Sequence, residues 1–299
     1  GSSALPRTGV LRVLDPGAGS GVLSAAVVDR VRREAPDLEV ALTAVEVDER
    51  LHGVLSRTLG DLEATGARTR LVGGDVVDWA LRTDERFDLV IQNPPYRKIR
   101  SGSALDRDLR VAGVVVPNIY AGFMALGSLL LDEGGQQVSI TPRSWMNGAY
   151  FSAFRRALLA RCAIDSIHTF RSRSEVFGDL GVLQETIVVA VTRGAAPSAV
   201  RLSSSVDHRD RAMTRDVSAS QVVTDDFVFV PASREDADAV EWMQCAHYSL
   251  ADLGLAVSTG RVVDFRLREH LRHQPDGDAV PLVYPANIVG NAILHPRLS

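Results

Sequence analysis

The chain has 299 residues, 45% of them hydrophobic and 23% charged, and its formal net charge is −4 at pH 7. This composition excludes a disordered chain and a globally basic nucleic-acid binder, although a local basic face would still suffice to bind nucleic acid. Two cysteines exclude a disulfide framework, and no apolar run reaches the roughly 20 residues that a bilayer requires. We therefore expect a cytoplasmic protein without a metal or a membrane segment, long enough for one large domain and a smaller one.

The first predicted strand, residues 10–14, ends in a glycine-rich turn that leads into a predicted helix at residues 22–33. The turn reads Asp15-Pro16-Gly17-Ala18-Gly19-Ser20-Gly21. Glycine allows the backbone to turn tightly and to approach a ligand closely, with the amino terminus of the next helix behind it. Such a turn alone does not separate a nicotinamide dehydrogenase from a methyltransferase.

Acidic residues follow the next two predicted strands. Residues 40–45 end in Glu46-Val47-Asp48, about 25 residues after the glycines, where an acid can accept hydrogen bonds from two ribose hydroxyls. Residues 70–73 end at Gly74-Asp75, where a carboxylate can accept a hydrogen bond from the exocyclic amine of an adenine lying across the sheet. The alternatives are a solvated surface acid for Glu46 and a plain helix cap for Asp75.

The fourth predicted strand, residues 87–91, leads into the sequence Asn93-Pro94-Pro95-Tyr96. The prolines end sheet pairing, so Asn93 and Tyr96 are expected at the carboxyl edge, where open α/β sheets bind ligands. These residues suit methylation of a planar exocyclic amine. The Asn93 side-chain oxygen and the Pro94 carbonyl would accept its two hydrogens, and Tyr96 would stack on a base flipped out of the duplex. The alternative is a strand followed by a simple proline turn.

Taken in order, these four motifs resemble the S-adenosylmethionine and catalytic motifs of the gamma class of DNA adenine-N6 methyltransferases, in particular the PstI/BsuBI-like modification methylases. The resemblance covers roughly residues 10 to 290. Four further segments share it: Tyr96-Arg97-Lys98-Ile99, Asn118-Ile119-Tyr120-Ala121-Gly122-Phe123, Ile140-Thr141-Pro142-Arg143-Ser144 and Asn147-Gly148-Ala149-Tyr150-Phe151.

The resemblance implies a doubly wound, Rossmann-like α/β sheet, S-adenosylmethionine as cofactor, and methyl transfer to adenine N6 in duplex DNA within a restriction-modification or related defence system. The implied cofactor contacts are Asp15, Gly17, Gly19, Gly21, Glu46, Val47, Asp75, Val76, Asn93 and Pro95. The implied catalytic residues are Asn93, Pro94, Pro95, Tyr96 and Phe177. Phe177 falls where the class carries an aromatic residue that contacts the flipped adenine, and a core contact that anchors a loop is an equally open alternative for it.

Two segments that flank the proline motif are basic. Residues 97–110 carry five basic and two acidic side chains, and residues 143–173 carry six basic and one acidic side chain. We expect phosphate contacts from Arg97, Lys98, Arg100 and Arg143, with solvated surface side chains as the alternative.

The later part of the chain predicts further helices and strands, and the catalytic domain is predicted to end at Arg193. We expect a helix within residues 114–131, strands at 137–142, 163–170 and 185–192, and a helix at 151–160. Beyond them we expect strands at 200–204 and 227–230 and a helix at 234–246. The predicted domains are a lead-in at 1–9, a methyltransferase catalytic domain at 10–193, a linker with connecting strands and a helix at 194–249, and the start of a target-recognition domain at 250–299.

The sequence departs from the family pattern at both ends. The family carries a further motif before the glycine turn, and the recognition domain here stops in mid-pattern. We therefore expect a chain trimmed at both ends, or one half of a split enzyme, with double-stranded DNA and either a cognate endonuclease or a second polypeptide as partners. Three other functions stay open: methylation of a protein glutamine or a ribosomal RNA amine, a noncatalytic DNA-binding or assembly subunit, and a nicotinamide enzyme, which would give no role to Asn93 through Tyr96.

Overall fold

The computed structural model describes residues 8–170, 186–196, 198–205, 212–224, 227–231, 233–256, 262–272 and 277–295. Its strands and longer helices are, in chain order, β1 (Gly9–Pro16), α1 (Val22–Glu34), β2 (Leu38–Glu46), α2 (Glu49–Glu63), β3 (Arg68–Gly73), α3 (Val76–Ala80), β4 (Phe87–Gln92), α4 (Ala104–Val111), α5 (Ile119–Leu130), β5 (Leu131–Pro142), α6 (Ser152–Leu159), β6 (Cys162–Phe170), β7 (Thr186–Arg193), β8 (Ala199–Ser205), β9 (Met213–Ser218), α7 (Ala219–Val222), α8 (Arg234–Gln244), β10 (Ile288–Val289) and β11 (Ala292–Ile293). Within these ranges, no helix is long and apolar enough to cross a bilayer, and no three metal-binding side chains cluster.

The chain divides into two compact units, Gly1–Gln244 and Cys245–Ser299. Nine strands of the first unit form one sheet in the order β3-β2-β1-β4-β5-β7-β6-β8-β9. The first five strands of the chain run parallel, β7 is antiparallel to both of its neighbours, and β9 is antiparallel to β8.

Hydrophobic clusters cover the two faces of this sheet. Neighbouring residues of β1 point to opposite faces, as in any strand. Val13 belongs to one cluster with Val28 of α1 and Leu55 of α2, whereas Leu14 belongs to the other cluster with Met124 of α5. A parallel strand that is buried on both faces reads as a continuous apolar run, which is why these strands were visible in the sequence. The predicted doubly wound α/β fold is confirmed.

The carboxyl ends of the parallel strands meet at one edge of the sheet. The strand register places Pro16 beside Val45 and Glu46 beside Gly73, so the ends of β1, β2 and β3 are level. β4 and β5 end at the same edge, and so do β6 and β8, because β7 is antiparallel to both β5 and β6 and β8 is parallel to β6. The motifs that follow these strands therefore lie at this edge.

Beyond Arg193 the chain continues in the same sheet. β8 pairs in parallel with β6, and β9 pairs with β8, so part of the segment predicted as linker and connecting strands lies in the main sheet. The described part of the second unit consists of short 3-10 turns and the hairpin of β10 and β11. Its assignment to a target-recognition domain stays a prediction.

Two predicted elements differ from the structure in detail. β5 begins at Leu131, directly after α5, rather than at residue 137. The strand predicted at 227–230 was wrong: the structure has an isolated bridge between Val223 and Val228. Val228 donates its backbone N–H to the carbonyl of Met146, so this segment pairs locally and against a turn rather than along a strand.

Candidate active site

The glycine turn after β1 is held against the end of β2. The backbone N–H groups of Gly17 and Ala18 donate to the carbonyl of Val45 over 2.8 and 3.0 Å. Gly17, Gly19 and Gly21 have φ angles of 78°, 59° and 82°, which side-chain-bearing residues rarely adopt. The conformation of the turn therefore requires glycine at these positions.

The three glycines differ in what lies beside them. A Cβ at Gly17 would lie 3.3 Å from a ring carbon of Phe123, and a Cβ at Gly21 would lie 3.0 Å from Leu55 and Thr58. A Cβ at Gly19 would meet nothing within 4 Å. Gly17 and Gly21 thus let neighbouring side chains pack against the turn, whereas Gly19 faces open space from which a ligand can approach the backbone.

Glu46 links the end of β2 to this turn. Its Oε2 accepts the backbone N–H of Gly19 over 2.7 Å, and its Oε1 accepts that of Asp48 over 2.8 Å. Glu46 is only 6% exposed, so the alternative of a solvated surface acid was wrong. Each carboxylate oxygen accepts one of these backbone bonds and keeps the capacity for a second. The next residue, Val47, is 62% exposed and offers an apolar surface.

The Asp15 side chain lies in the core, between β1 and α1, and not at the surface of the turn. Its side chain is buried, and its Oδ2 accepts the hydroxyl proton of Ser24 in α1 over 2.6 Å. Burial raises the pKa of Asp15 to about 6, with a smaller contribution in the same direction from Glu46, whereas the bonds from Ser24 act to lower it. Asp15 therefore ties β1 to α1, and it can act on a ligand only through the shape of the turn.

Asp75 forms the N-cap of α3. Its Oδ1 accepts the backbone N–H groups of Val77 and Asp78 over 2.7 and 3.3 Å. The alternative of a helix cap is thus correct, and it leaves room for a second role, because Oδ2 takes no part in these two bonds and the residue is exposed. Val76 is buried and lies in the core beneath the cap.

The proline motif stands at the end of β4. Gln92 precedes it and donates its side-chain Nε2–H to Ser139 in β5 over 2.9 Å inside the core. Asn93 is exposed, Pro94 is buried and Pro95 is exposed, so the motif presents the Asn93 amide to solvent while its backbone is anchored. The sequence therefore places an amide on a fixed support at the carboxyl edge, as predicted.

Tyr96 folds back over the motif. Its hydroxyl lies 3.3 Å from both Asn93 Oδ1 and the Ile140 carbonyl, so its single proton serves two acceptors. Burial, and to a lesser extent Tyr120, raises the pKa of Tyr96 above its ordinary value, which keeps this hydroxyl protonated at neutral pH. Tyr96 therefore orients the Asn93 amide in addition to presenting a ring.

Tyr120 packs against Tyr96 from the core, and the sequence predicted no role for it. It is fully buried in α5, and its ring meets that of Tyr96 edge-on, with 6.1 Å between the ring centroids. Its hydroxyl lies 2.9 Å from the hydroxyl of Ser144, just after β5. Tyr120 lies in one of the segments that carry the family resemblance, and this was the feature of the sequence that could have indicated its role.

The chain is similar to known methyltransferases of restriction-modification systems. A family model described as Eco57I restriction-modification methylase matches residues 58–177, and one described as methyltransferase small domain matches residues 3–111. The Type II methyltransferase M.BsuBI of Bacillus subtilis is 34% identical over 96% of this chain. The Type II methyltransferase M.PstI of Providencia stuartii is 31% identical over 95% of it. Over nearly its whole length, the chain is therefore similar to Type II methyltransferases.

The predicted family resemblance is thus confirmed. The chain spans 60% of the length of M.BsuBI and 59% of that of M.PstI. A methyltransferase subunit of a type I restriction-modification system from Streptococcus thermophilus has the same fold, with a TM-score of 0.53 and 18% identity over 77% of this chain and 47% of that chain.

The structure brings most of the predicted site residues to one edge of the sheet. The glycine turn, Glu46, Asp75 and the proline motif stand at the ends of four adjacent strands. Phe177 lies outside the described residues. Of the predicted DNA contacts, Arg97, Lys98 and Arg100 are exposed just after the proline motif, and Arg143 is half-buried just after β5.

The segment that carries these basic side chains is held in place after the motif. Ile99 donates its backbone N–H to the carbonyl of Pro117, and Ile119 donates to the carbonyl of Arg97, each over 2.8 Å. Lys98 and Asn118 form an antiparallel bridge between them. The exposed cations therefore project from a fixed backbone beside Tyr96.

Proposed function

We propose that this protein transfers a methyl group from S-adenosylmethionine to the N6 amine of adenine in duplex DNA after base flipping, as part of a restriction-modification or related defence system. The observation that carries the proposal is the position of the Asn93 amide, held by Tyr96 at the same sheet edge as Glu46 and the open face of Gly19.

The glycine turn and its neighbours fit the proposed cofactor. The open space at Gly19 admits a ligand to the backbone. The Glu46 carboxylate contacts Gly19, and each of its oxygens can accept one hydrogen bond more than the structure shows. A carboxylate at this position suits the two hydroxyls of a ribose, exposed Val47 suits one face of the adenine ring, and Oδ2 of Asp75 suits its exocyclic amine. When bound, S-adenosylmethionine supplies an electrophilic methyl group on a sulfonium.

The proline motif would prepare the acceptor amine. The lone pair of an adenine N6 amine is delocalised into the ring, so the nitrogen is a poor nucleophile. Asn93 Oδ1 and the Pro94 carbonyl would accept its two hydrogens, which draws the nitrogen toward tetrahedral geometry and frees the lone pair. Bound S-adenosylmethionine would supply its methyl group to this lone pair, and the displaced amine proton would pass to solvent. Tyr96 would offer its ring to the flipped base while its hydroxyl fixes the Asn93 amide.

Arg97, Lys98 and Arg100 would contact phosphates of the DNA backbone next to the flipped nucleotide. Their exposure on a fixed segment beside Tyr96 supports this role. Phosphate contacts position a protein on DNA without reading sequence, so the recognised sequence would be read elsewhere. We propose double-stranded DNA as the partner, together with a cognate endonuclease or a second polypeptide.

The test is methyl transfer from labelled S-adenosylmethionine to mixed-sequence duplex DNA, followed by digestion to nucleosides and mass spectrometry. We expect N6-methyl-2′-deoxyadenosine from the wild type and none from Asn93→Ala, with cofactor affinity nearly unchanged in that variant. Ribosomal RNA and a glutamine-containing peptide as substrates test the amine-methylase alternatives. Absence of both cofactor binding and product would support a noncatalytic subunit, and wild-type rates in Asn93→Ala would rule out the role of the amide.

A further inference from the structure

A cavity of about 740 Å³ opens at the same edge of the sheet, away from the glycine turn. Its walls come from the ends of β6 and β8 and the beginnings of the antiparallel strands β7 and β9, with Arg143 from the end of β5. The cavity adjoins the proposed target site, because Arg143 is three residues from Ile140, whose carbonyl lies 3.3 Å from the Tyr96 hydroxyl.

The described walls of the cavity are cationic and rich in hydroxyl groups. They include Arg143 and Arg215, and no carboxylate is among the described lining residues. Five hydroxyl side chains line it as well: Thr169, Thr186, Ser203, Ser204 and Thr214. Guanidinium and hydroxyl donors are the side chains that contact phosphate and sugar oxygens in DNA complexes.

The wall at the end of β6 is built around an aromatic ring. Phe170 lines the cavity, and its ring meets His168 edge-on with 4.6 Å between the ring centroids. His168 is held in turn by Ser203 and Ser205, whose hydroxyls lie 2.8 and 3.1 Å from its two ring nitrogens. Burial lowers the pKa of His168, which favours the neutral ring at neutral pH. Phe170 is therefore a supported apolar surface, of the kind on which a base stacks.

Arg215 enters the cavity from β9. It is half-buried and donates to the carbonyl of Pro231, which also lines the cavity. A guanidinium has five N–H donors, so this bond leaves donors for a ligand. Arg201, on the adjacent strand β8, lies opposite Asp216, is paired with it over 3.0 Å and does not line the cavity.

We propose that this cavity binds a second nucleotide of the DNA strand that carries the target adenine, with Arg215 and Arg143 as donors to its phosphate and Phe170 as the surface for its base. A cavity of this volume falls within the size range of small-molecule sites and accommodates one nucleotide. The proposal rests on the proposed function, because it takes DNA as the substrate. It assigns to the half of the sheet beyond β5 a part in holding the strand from which the adenine is flipped.

The test compares Arg215→Gln with Arg201→Gln. The two variants each remove one positive charge, and the two positions lie on adjacent strands of the sheet. The dissociation constant of a duplex, and of a short single-stranded oligonucleotide, is measured over a series of salt concentrations in the presence of S-adenosylhomocysteine. We expect Arg215→Gln to reduce the salt slope by about 0.7 to 0.9, the value for one lost phosphate contact, and Arg201→Gln to leave it unchanged.

Phe170→Leu provides a second, charge-neutral measurement. We expect it to weaken binding of the single-stranded oligonucleotide about fivefold or more without changing the salt slope, because base stacking carries no counterion release. Equal slopes for the two arginine variants, together with unchanged oligonucleotide affinity in Phe170→Leu, would overturn the cavity assignment. A wild-type protein that binds DNA with the expected slopes but yields no methylated adenosine would refute the proposed function instead.

Discussion

Replacement of Glu46 by alanine should lower both the stability of the unliganded protein and its affinity for the proposed cofactor. The structure predicts the first effect because Glu46 accepts hydrogen bonds from the backbone N–H groups of Gly19 and Asp48. Glu46→Ala would leave both donors without this acceptor, and it would loosen the glycine turn from the end of β2. A ribose acid that served only the cofactor would not have this effect.

The magnitude follows from the two bonds. A hydrogen bond to a charged group contributes about 1.5 to 3 kcal/mol, and the lower figure applies here because the Gly19 turn borders open space where water can replace the carboxylate. Two bonds give a loss of about 3 kcal/mol in the free energy of unfolding. Removal of the repulsion that Glu46 exerts on buried Asp15 offsets a small part of this loss, because it is the least of the causes that shift the pKa of Asp15. For a unit of this size the loss corresponds to a fall in Tm of roughly 6 to 12 °C.

The assay is thermal unfolding of the unliganded protein, with calorimetric titration of S-adenosylmethionine alongside. We expect the cofactor affinity of Glu46→Ala to fall by about 1 to 3 kcal/mol in addition to the change in Tm. Glu39→Ala is the matched control, since Glu39 lies in the same strand and its exposed pair with Arg68 contributes at most about 1 kcal/mol. If the unliganded Tm of Glu46→Ala stays within about 2 °C of the control, the inferred role of the two backbone bonds is refuted.

Three further predictions concern the supports of the site. Tyr120→Phe should lower the free energy of unfolding by about 1 kcal/mol, because the bond to Ser144 is lost. Tyr120→Leu should lower kcat on the order of tenfold or more, as measured by single-turnover kinetics. Calorimetry should show an unchanged cofactor affinity in Tyr120→Leu. Gln137→Met should raise the free energy of unfolding in urea by about 1 to 3 kcal/mol, because both polar atoms of the buried Gln137 amide lack a partner among the described residues. Burial raises the pKa of Asp15 from 3.8 to about 6, which penalises its ionised form by about 3 kcal/mol. The wild type should therefore lose stability as the pH rises from about 4 to about 6, and Asp15→Asn should not show this loss.

Each of these three has an outcome that contradicts it. An unchanged kcat in Tyr120→Leu would mean that Tyr96 holds its position without the buried ring. A destabilised Gln137→Met would indicate a bound water that satisfies the amide. For Asp15, denaturant midpoints of wild type and variant that stay parallel between pH 4 and pH 7 would show that its pKa is not raised by folding.

The local chemistry of the site was readable from the sequence. Strands buried on both faces are continuous apolar runs, and they must end at an edge, so the residues that follow them could be assigned to that edge before the structure was known. The glycines of the first turn and the prolines after β4 restrict the backbone by themselves, whatever their surroundings. For these reasons the sequence predicted the positions of Glu46 and of the Asn93 amide.

The tertiary structure alone decided what stands behind these residues. That Asp15 points into the core, that Tyr120 supports Tyr96, and that Gln92 bonds to Ser139 depends on contacts between elements far apart in the chain. The insertion of β7 between β5 and β6, and the addition of β8 and β9, likewise set the walls of the second cavity. Backbone hydrogen bonds between strands are nearly the same for any side chains, so the order of strands in the sheet is fixed by how the whole chain packs and not by any local sequence pattern.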